Sequence, residues 1–331
     1  MVITKTPFRM SFFGGGTDMK EFYEEYGGSV LSTTFDKYCY VTARHLPKFF
    51  DYTSEFVYAR IERVTNIDQI QHPLIRNCMK YQKMHHIHLA YDADLPARTG
   101  LGTSSAFAVG MLNAFHALKG EMVDKRKLAD EAIYAERVLC NEAGGVQDQI
   151  AASFGGLNRI DMDGNGYHVN PIIISHERKR ELNDSLMLFF TGFSHMSAVV
   201  QEKVKENFQD KVRRLQIMKA MVEDAQRILI GKGNLTDFGK LLHESWQLKR
   251  SLSNGISTGD IDSMYEAACK AGAEGGKLLG SGGGGFLLFY VEKDKQFYVK
   301  KALEKLLYVP FAFETGGTRI IYYGEDNPVN F

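Results

Sequence analysis

The most restrictive feature of this sequence is a glycine-rich segment, GLGTSSAF at residues 100–107, that joins a strand pattern to a helix pattern. The run from His86 to Pro96 alternates apolar and polar residues, as a strand does. Apolar residues then recur at spacings of three and four, which predicts a helix over residues 104–118. Glycine lets backbone amides approach an anion closely, and the N-terminus of a helix attracts negative charge. The junction therefore predicts a phosphate-binding loop, although a glycine turn with ordinary Ser/Thr capping shows the same pattern.

Two common nucleotide-binding signatures are not met by the other glycines. Gly280, Gly282 and Gly285 match G-x-G-x-x-G, but their loop precedes the strand pattern at Phe286–Tyr290. A dinucleotide fingerprint follows a strand and opens a helix. Lys277 is followed by leucine and lacks a glycine at the spacing that a Walker A loop requires. These observations disfavour a Rossmann site and exclude an ordinary P-loop.

Charge and hydropathy narrow the class of protein further. Lys plus Arg and Asp plus Glu are 40 each, so the net charge of 0 lacks the basic field of a nucleic-acid binder. The N-terminus has no signal-peptide apolar region, and no segment reaches the roughly 18 apolar residues of a membrane span. His85, His86 and His88 fall on opposite faces of a strand with no carboxylate at ligand spacing, so they predict no metal site. We expect a cytoplasmic protein without nucleic-acid or membrane partners.

Strand and helix patterns alternate irregularly along the 331 residues, which favours an α+β protein of two domains. A strand is predicted at Ile172–Ile174, and the polar stretch Ser175–Asp184 that follows it is the predicted boundary. The continuous apolar run Leu186–Phe190 then predicts the first strand of the second domain. We therefore expect an N-terminal domain at residues 1–180 and a C-terminal domain at residues 181–331.

Three charged residues are candidates for catalysis, and each has a plainer alternative. Asp148 follows two glycines, so flexible backbone can carry its carboxylate into a cleft as a general base, whereas the alternative is a helix-start aspartate. Arg9 lies in an apolar strand-like segment, where a cation is costly unless it binds an anion or a buried ion-pair partner. Glu136 lies on a helix predicted over residues 127–140, where a solvated face is the plainer position.

Four motifs in this order resemble the GHMP kinase family over essentially the whole chain. They are FGGGTD at residues 13–18, P-x-x-x-G-L-G-x-S-S-A at residues 96–106, GGVQDQ at residues 144–149 and GSGGGGF at residues 280–286. Thr103 stands where the family usually has Ser, and Gly15 and Gly16 replace polar sugar-binding residues of galactokinase-like members. The resemblance implies a ribosomal-protein-like α/β N-terminal domain packed on a ferredoxin-like C-terminal domain, with ATP in the cleft between them.

The resemblance also implies roles for the matching residues. Ser104 and Glu136 would hold Mg²⁺, with Glu142 as a second candidate for the carboxylate ligand. Asp148 would take or orient the proton of the acceptor hydroxyl, and Arg9 would stabilise charge near the attacking oxygen. The implied ATP-binding residues are Gly100, Leu101, Gly102, Thr103, Ser104 and Ser105, and the implied substrate-binding residues are Gly14, Gly15, Gly16, Thr17, Asp18, Gly282 and Gly283.

Within the family, the runs RMSFFGGGTD, GGSVLSTTFDKYCYV and TGFSHMS are most similar to the D-glycero-D-manno-heptose 7-phosphate kinases. That similarity implies ATP-dependent phosphorylation of the anomeric hydroxyl of a heptose 7-phosphate, with ATP and a sugar phosphate as ligands and a homodimer as one open assembly. Candidate cations for the acceptor phosphate are Lys37, His195, Lys203 and Arg319. The alternatives are another sugar or sugar-phosphate acceptor, or a sugar- or nucleotide-sensing protein without catalysis.

Overall fold

The structure is a computed structural model that describes residues 1–97, 99–192, 208–252, 255–280 and 282–324. Within these ranges the strands are β1 (Val2–Phe13), β2 (Gly28–His45), β3 (Ser54–Val57), β4 (Ile61–Val64), β5 (Ile87–Ala93), β6 (Leu157–Asp163), β7 (Gly166–Pro171), β8 (Leu186–Phe190), β9 (Gly275–Leu278), β10 (Phe286–Tyr290), β11 (Leu307–Val309), β12 (Phe313–Glu314) and β13 (Arg319–Tyr323). The strands form two separate sheets.

Helices connect and cover these sheets. They are α1 (Lys20–Tyr26), α2 (Pro73–Tyr81), α3 (Thr103–Leu118), α4 (Lys125–Ile133), α5 (Gln147–Phe154), α6 (His176–Asp184), α7 (Phe208–Ile230), α8 (Thr236–Arg250), α9 (Gly259–Lys270) and α10 (Gln296–Ala302), with a 3-10 turn at Ile67–Gln69 and a π-helical segment at Tyr134–Leu139. This mixed content confirms the predicted α+β class. No helix in the described ranges combines the length and apolar character needed to cross a membrane.

The first sheet has nine strands and is built around the long strand β2. On one side β2 pairs antiparallel with β1, and on the other it pairs with β6 along its first half and with β5 along its second half. The last two strands of the described chain return to this sheet, because β13 pairs with β1 and β12 pairs with β2. The division at residues 180 and 181 stays a prediction, whereas hydrogen bonding joins residues 313–314 and 319–323 to the N-terminal sheet.

The second sheet has the order β11-β8-β10-β9, and all of its pairs are antiparallel. The continuous apolar run of β8 is explained by burial on both faces. Leu186 and Leu188 face the core shared with the first sheet, while Met187 and Phe189 face a second core under α8 and α9. Phe238 on α8 packs edge-on against Phe12 and Phe13 of β1, with ring centroids 5.4 and 5.1 Å apart. The two halves of the molecule therefore share one hydrophobic core.

Helix α3 is the predicted helix after the glycine loop, and it is buried on every side except at Ser104 and its last residue. One prediction near the proposed boundary is wrong in detail, because the strand predicted at Ile172–Ile174 lies one segment earlier, at β7. The polar stretch Ser175–Asp184, which is the predicted boundary, contains helix α6. The Ser175 hydroxyl caps that helix by accepting a hydrogen bond of 3.2 Å from the Arg178 amide.

Candidate active site

Arg9 and Asp148 form a bidentate ion pair between β1 and α5. Arg9 donates from Nε to Oδ1 at 2.8 Å and from Nη2 to Oδ2 at 2.9 Å. Its remaining nitrogen, Nη1, donates to the Gly100 carbonyl at 2.7 Å. The Arg9 side chain is 6% exposed and that of Asp148 is 24% exposed. Asp148 does lie in the first turn of α5, as the plainer alternative predicts. Its carboxylate nevertheless pairs with the Arg9 guanidinium, which is buried and needs a partner of opposite charge. The carboxylate is thus fixed in orientation and still accessible from one side.

The predicted phosphate loop lies directly beside this pair. Gly100 and Gly102 have φ values of +83° and +72°, which glycine adopts at little cost. A side chain at Gly102 would begin 3.3 Å from Arg9 Cγ and 3.4 Å from Asp148 Cγ. Helix α3 starts at the next residue, and its N-cap is Gly102, which has no side chain, so a Ser/Thr N-cap does not explain the loop. A glycine loop that leads into a helix N-terminus favours an anion.

The hydroxyls of Ser104 and Ser105, in the first turn of α3, are bound to Glu136. Ser104 Oγ donates to Oε1 at 2.8 Å, Ser105 Oγ donates to Oε2 at 2.6 Å, and the Gln149 amide also contacts Oε2. Glu136 is only 1% exposed, so the plainer position on a solvated face is wrong. The π-helical segment Tyr134–Leu139 carries Glu136, and burial raises the pKa of its carboxyl. Glu142, the second candidate for the metal ligand, is exposed.

This carboxylate and hydroxyl pair has the chemistry of a magnesium site. Hard oxygen ligands suit Mg²⁺, which is commonly held by one or two carboxylates together with substrate phosphates. Among the described residues, no group of three or more His, Cys, Asp and Glu side chains is arranged to hold a metal ion. Ser104 and Glu136 therefore fit a Mg²⁺ ion that would also bind the phosphates of a nucleotide.

Asp18 lies next to this site, at the end of the first glycine loop. Its Oδ1 accepts from the Gly16 amide at 2.9 Å, and its Oδ2 accepts from Gln147 Nε2 at 3.0 Å. Gly145 is required by this approach, since a Cβ there would lie 1.9 Å from Asp18 Oδ2. Burial raises the pKa of Asp18, and the charge of Asp148 raises it further. The two aspartates therefore occupy one connected site.

The other residues of the first and third loops have structural partners. Thr17 donates to the Gly14 and Ser29 carbonyls at 2.8 and 2.9 Å, and Gly14 packs so closely that a Cβ would lie 1.9 Å from the Ser29 carbonyl oxygen. In the third loop, a Cβ at Gly282 would lie 2.6 Å from Ile256 Cα, and the Gly283 amide donates to the Ile256 carbonyl at 3.2 Å. These contacts hold the loops in shape.

The second and third loops touch through their backbones. Gly100 and Gly280 both have φ +83°, and a Cβ on Gly280 would lie 2.3 Å from Gly100 Cα. A Cβ on Gly100 would lie 2.3 Å from the Leu279 carbonyl oxygen. The third loop therefore supports the phosphate loop directly, although the two loops are far apart in the sequence. Its glycines allow a contact that any side chain would prevent.

Two lysines that the sequence did not single out as cations border this site. The Lys249 ammonium contacts the Gly280 carbonyl, and burial lowers its pKa to about 8, with the positive charge of Arg9 acting in the same direction. Lys277 is 3% exposed and donates to the Phe12 carbonyl at 2.7 Å. Burial, and the charges of Lys249 and Arg9, hold its pKa well below the usual value. For Lys277, the sequence signal for a site residue was its position in the short glycine- and leucine-rich run GGKLL.

Two of the cations predicted for an acceptor phosphate are paired with carboxylates. Lys37 pairs with Asp36 at 3.0 Å, and Arg319 pairs with Glu314 at 2.9 Å. His195 and Lys203 lie outside the described residues. Lys249, in contrast to Lys37 and Arg319, contacts the Gly280 carbonyl beside the phosphate loop, which makes it an additional candidate.

Fold and contacts together define a phosphoryl-transfer protein, in which a glycine loop, an oxygen-ligand site and a cation-held carboxylate adjoin. The sequence profile of the GHMP kinases N terminal domain matches residues 70–156, and that of the GHMP kinases C terminal domain matches residues 220–308. The chain belongs to the GHMP kinase family, and it is a phosphotransferase with an alcohol group as acceptor.

Individual relatives agree with this assignment. The D-glycero-alpha-D-manno-heptose 7-phosphate kinase of Campylobacter jejuni is 28% identical over 317 residues, covering 91% of this chain and 93% of that protein. The galactokinase of Pyrococcus furiosus is 23% identical and covers 95% of both chains. A crystal structure of a D-glycero-D-manno-heptose 1-phosphate kinase from Bacteroides thetaiotaomicron superposes with a TM-score of 0.80 at 25% identity, covering 98% of this chain and all of that one.

Proposed function

We propose that this chain is an ATP- and Mg²⁺-dependent kinase that phosphorylates the anomeric hydroxyl of D-glycero-D-manno-heptose 7-phosphate. The product would be the 1,7-bisphosphate, a precursor of nucleotide-activated heptose for surface glycans, made in the cytoplasm. The observation that supports this proposal best is the position of the Arg9–Asp148 pair. A Cβ on Gly102 of the phosphate loop would lie 3.3 Å from Arg9 Cγ and 3.4 Å from Asp148 Cγ, so the proposed base adjoins the proposed phosphate site.

The protein's residues then divide the reaction between them. Asp148 accepts the proton of the acceptor hydroxyl while that oxygen bonds to the γ-phosphorus and the bond to the ADP oxygen breaks. Arg9 orients the carboxylate and stabilises the negative charge that develops on the attacking oxygen. When bound beside Ser104 and Glu136, Mg²⁺ supplies positive charge to the phosphates of ATP. The backbone amides of residues 100–105 bind those phosphates, and the Asp18 carboxylate accepts hydrogen bonds from hydroxyl groups of the sugar.

Substrate binding would use both proposed domains, residues 1–180 and 181–331. The first supplies the loops at residues 14–18 and 100–105, and the second supplies Gly282, Gly283 and Lys249. We assign Lys249 to the phosphate that the acceptor already carries, since its ammonium lies beside the phosphate loop and donates to the backbone carbonyls of Leu278 and Gly280. Burial disfavours the charged form of Lys249, and a bound dianionic phosphate would stabilise that charged form.

The test is ADP release with Mg²⁺-ATP across D-glycero-D-manno-heptose 7-phosphate, the corresponding 1-phosphate, galactose, fucose, mannose 6-phosphate, mevalonate and homoserine. We expect turnover with the heptose 7-phosphate and a product whose new phosphorus resonance couples to the anomeric proton. The names of the two heptose kinase relatives differ in phosphate position, so the 1-phosphate is the informative competitor. Preference for it, or for another sugar, would keep the kinase and overturn the acceptor. ATP binding without consumption would favour a sensor.

A further inference from the structure

Two buried polar atoms beside the ion pair have no hydrogen-bond partner among the described residues. They are Ser11 Oγ and Gln147 Oε1. Ser11 is 6% exposed and Gln147 is 7% exposed. A buried polar group without a partner costs about 1–3 kcal/mol, so native proteins seldom leave two of them together. Their presence at one place indicates that something outside the chain completes their hydrogen bonds.

Ser11 Oγ and the amide nitrogen of Gln147 border a space left by Gly15, and Oε1 belongs to that same amide group. A Cβ built on Gly15 would have Ser11 Oγ at 3.6 Å and Gln147 Nε2 at 3.8 Å as its nearest neighbours, which is ordinary van der Waals contact. The φ of Gly15 also lies outside the left-handed region, unlike those of Gly14 and Gly16. Neither backbone strain nor close packing therefore requires glycine at this position. What its missing side chain provides is room between Ser11 and Gln147.

The residues that border this space are close in sequence to Arg9 on β1 and to Asp148 on α5. Ser11 follows Arg9 by two residues on β1, so both side chains are on the same face of the strand. Gln147 immediately precedes Asp148 at the start of α5. The Nε2 of Gln147 is already bound to Asp18, which leaves Oε1 as an acceptor. A group that enters this space would sit next to the hydroxyl that Asp148 activates.

The chemistry of these atoms selects a neutral hydroxyl. Gln147 Oε1 can only accept, while the Ser11 hydroxyl can donate or accept, so a ligand hydroxyl can bond to both. A phosphate would find no donor at Oε1 and would be repelled by the Asp18 carboxylate. We propose that Ser11, Gln147 and the space beside Gly15 form a hydroxyl-binding subsite, which reads a sugar hydroxyl neighbouring the phosphorylated one. This inference rests on the proposed kinase function.

The test uses Ser11→Ala, which removes the hydroxyl alone, and Gly15→Ala, which places a methyl group in the space without backbone strain. We expect the KM for the acceptor to rise about 3- to 10-fold in Ser11→Ala and about tenfold in Gly15→Ala, with kcat and the KM for ATP within about twofold of wild type. Ser245→Ala and Gly233→Ala are matched controls. Ser245 is another buried, unpartnered hydroxyl, on α8, and Gly233 has no described atom within 4 Å of its built Cβ.

Deoxy analogues of the acceptor identify the hydroxyl. If the subsite binds it, one deoxy analogue should lose affinity in wild type and lose nothing further in Ser11→Ala. A buried water bridging Ser11 and Gln147 would instead lower the melting temperature of Ser11→Ala and leave the acceptor KM unchanged, which overturns the inference.

The proposed function can fail separately. If wild type turns over no sugar, equilibrium binding of the same sugars in the presence of Mg²⁺-ADP replaces the kinetic readout. Weaker binding in both variants then supports the subsite. Equal binding in variants and wild type, or no binding to wild type, overturns it.

Discussion

The Arg9–Asp148 pair makes Asp148→Asn the most informative change. One carboxylate oxygen becomes an amide that faces the guanidinium, so one charge-assisted hydrogen bond is lost and two donors oppose each other. A hydrogen bond to a charged group contributes about 1.5–3 kcal/mol, and the partial exposure of Asp148 favours the lower end. Arg9 keeps its bond to the Gly100 carbonyl, so the guanidinium stays in place. At roughly 2–4 °C per kcal/mol, the melting temperature should fall by about 3–8 °C.

Activity should fall much further than stability. A general base contributes about 10²- to 10⁴-fold, so we expect kcat in Asp148→Asn to fall by that factor while ATP binding changes little. ADP release at saturating substrates, thermal unfolding and nucleotide titration measure the three quantities. A variant whose kcat stays within about threefold of wild type would show that Asp148 only pairs with Arg9. Loss of ATP binding together with kcat would instead identify the pair as structural support for the phosphate loop.

Three further predictions concern the metal, the acceptor phosphate and the loop contact. Glu136→Gln should raise the Mg²⁺ concentration that gives half-maximal activity about tenfold, and an unchanged Mg²⁺ dependence would contradict the ligand role. The same change should raise the melting temperature measured without metal, because burial raises the pKa of this carboxyl and makes its charged form costly. With a pKa of about 8, Lys249 should lose its proton above that pH, so kcat/KM for the acceptor should decline there and the decline should be absent in Lys249→Met. Lys249 loses its proton at a lower pH in the folded protein than in the unfolded chain. The free energy of unfolding of wild type should therefore increase relative to that of Lys249→Met as the pH rises from about 8 to 10.5, the ordinary lysine pKa. If the two free energies change in parallel across that range, the pKa assigned to Lys249 is wrong. Gly280→Ala places a methyl group 2.3 Å from Gly100 Cα at a residue with φ +83°. It should raise the KM for ATP and lower the free energy of unfolding by more than the roughly 1–2 kcal/mol of a left-handed residue, whereas the control Gly233→Ala should do neither. An unaltered KM for ATP would mean that the loops act independently.

Local patterns predicted the parts of the fold whose cause is local. The strand, glycine loop and helix around residue 100 follow from alternation, positive φ and helical spacing, and the structure has each of them. The π-helical segment at Tyr134–Leu139 could not be predicted, because its sequence fits an ordinary helix and its shape turns Glu136 toward Ser104 of another helix. The return of β12 and β13 to the first sheet is likewise set by pairing between distant segments.

The same limit applies to the site. From the residues alone Arg9 and Asp148 were separate candidates, and the family resemblance implied that both act near the attacking oxygen. Their direct ion pair across 139 residues is seen only in the fold. Lys277 lies 265 residues from its partner Phe12, and the local run GGKLL does not indicate which segment it contacts. Gly145 was interpreted as flexible backbone, whereas its measurable role is to let Asp18 approach. Such residues acquire their significance from contacts between elements, which a single sequence does not display.

The pairing of β1 with β13 also sets a timetable for synthesis. The Met1 amine donates to the Gly324 carbonyl at 2.8 Å, so neighbours in the finished sheet are 323 residues apart in the order of translation. At about 5–20 residues per second, the outer edge of β1 waits about 16–65 s on the ribosome for its partner. Throughout that interval an unpaired strand edge is open to other nascent chains. Slow growth conditions would lengthen the interval, and the strand that waits is the one that carries Arg9.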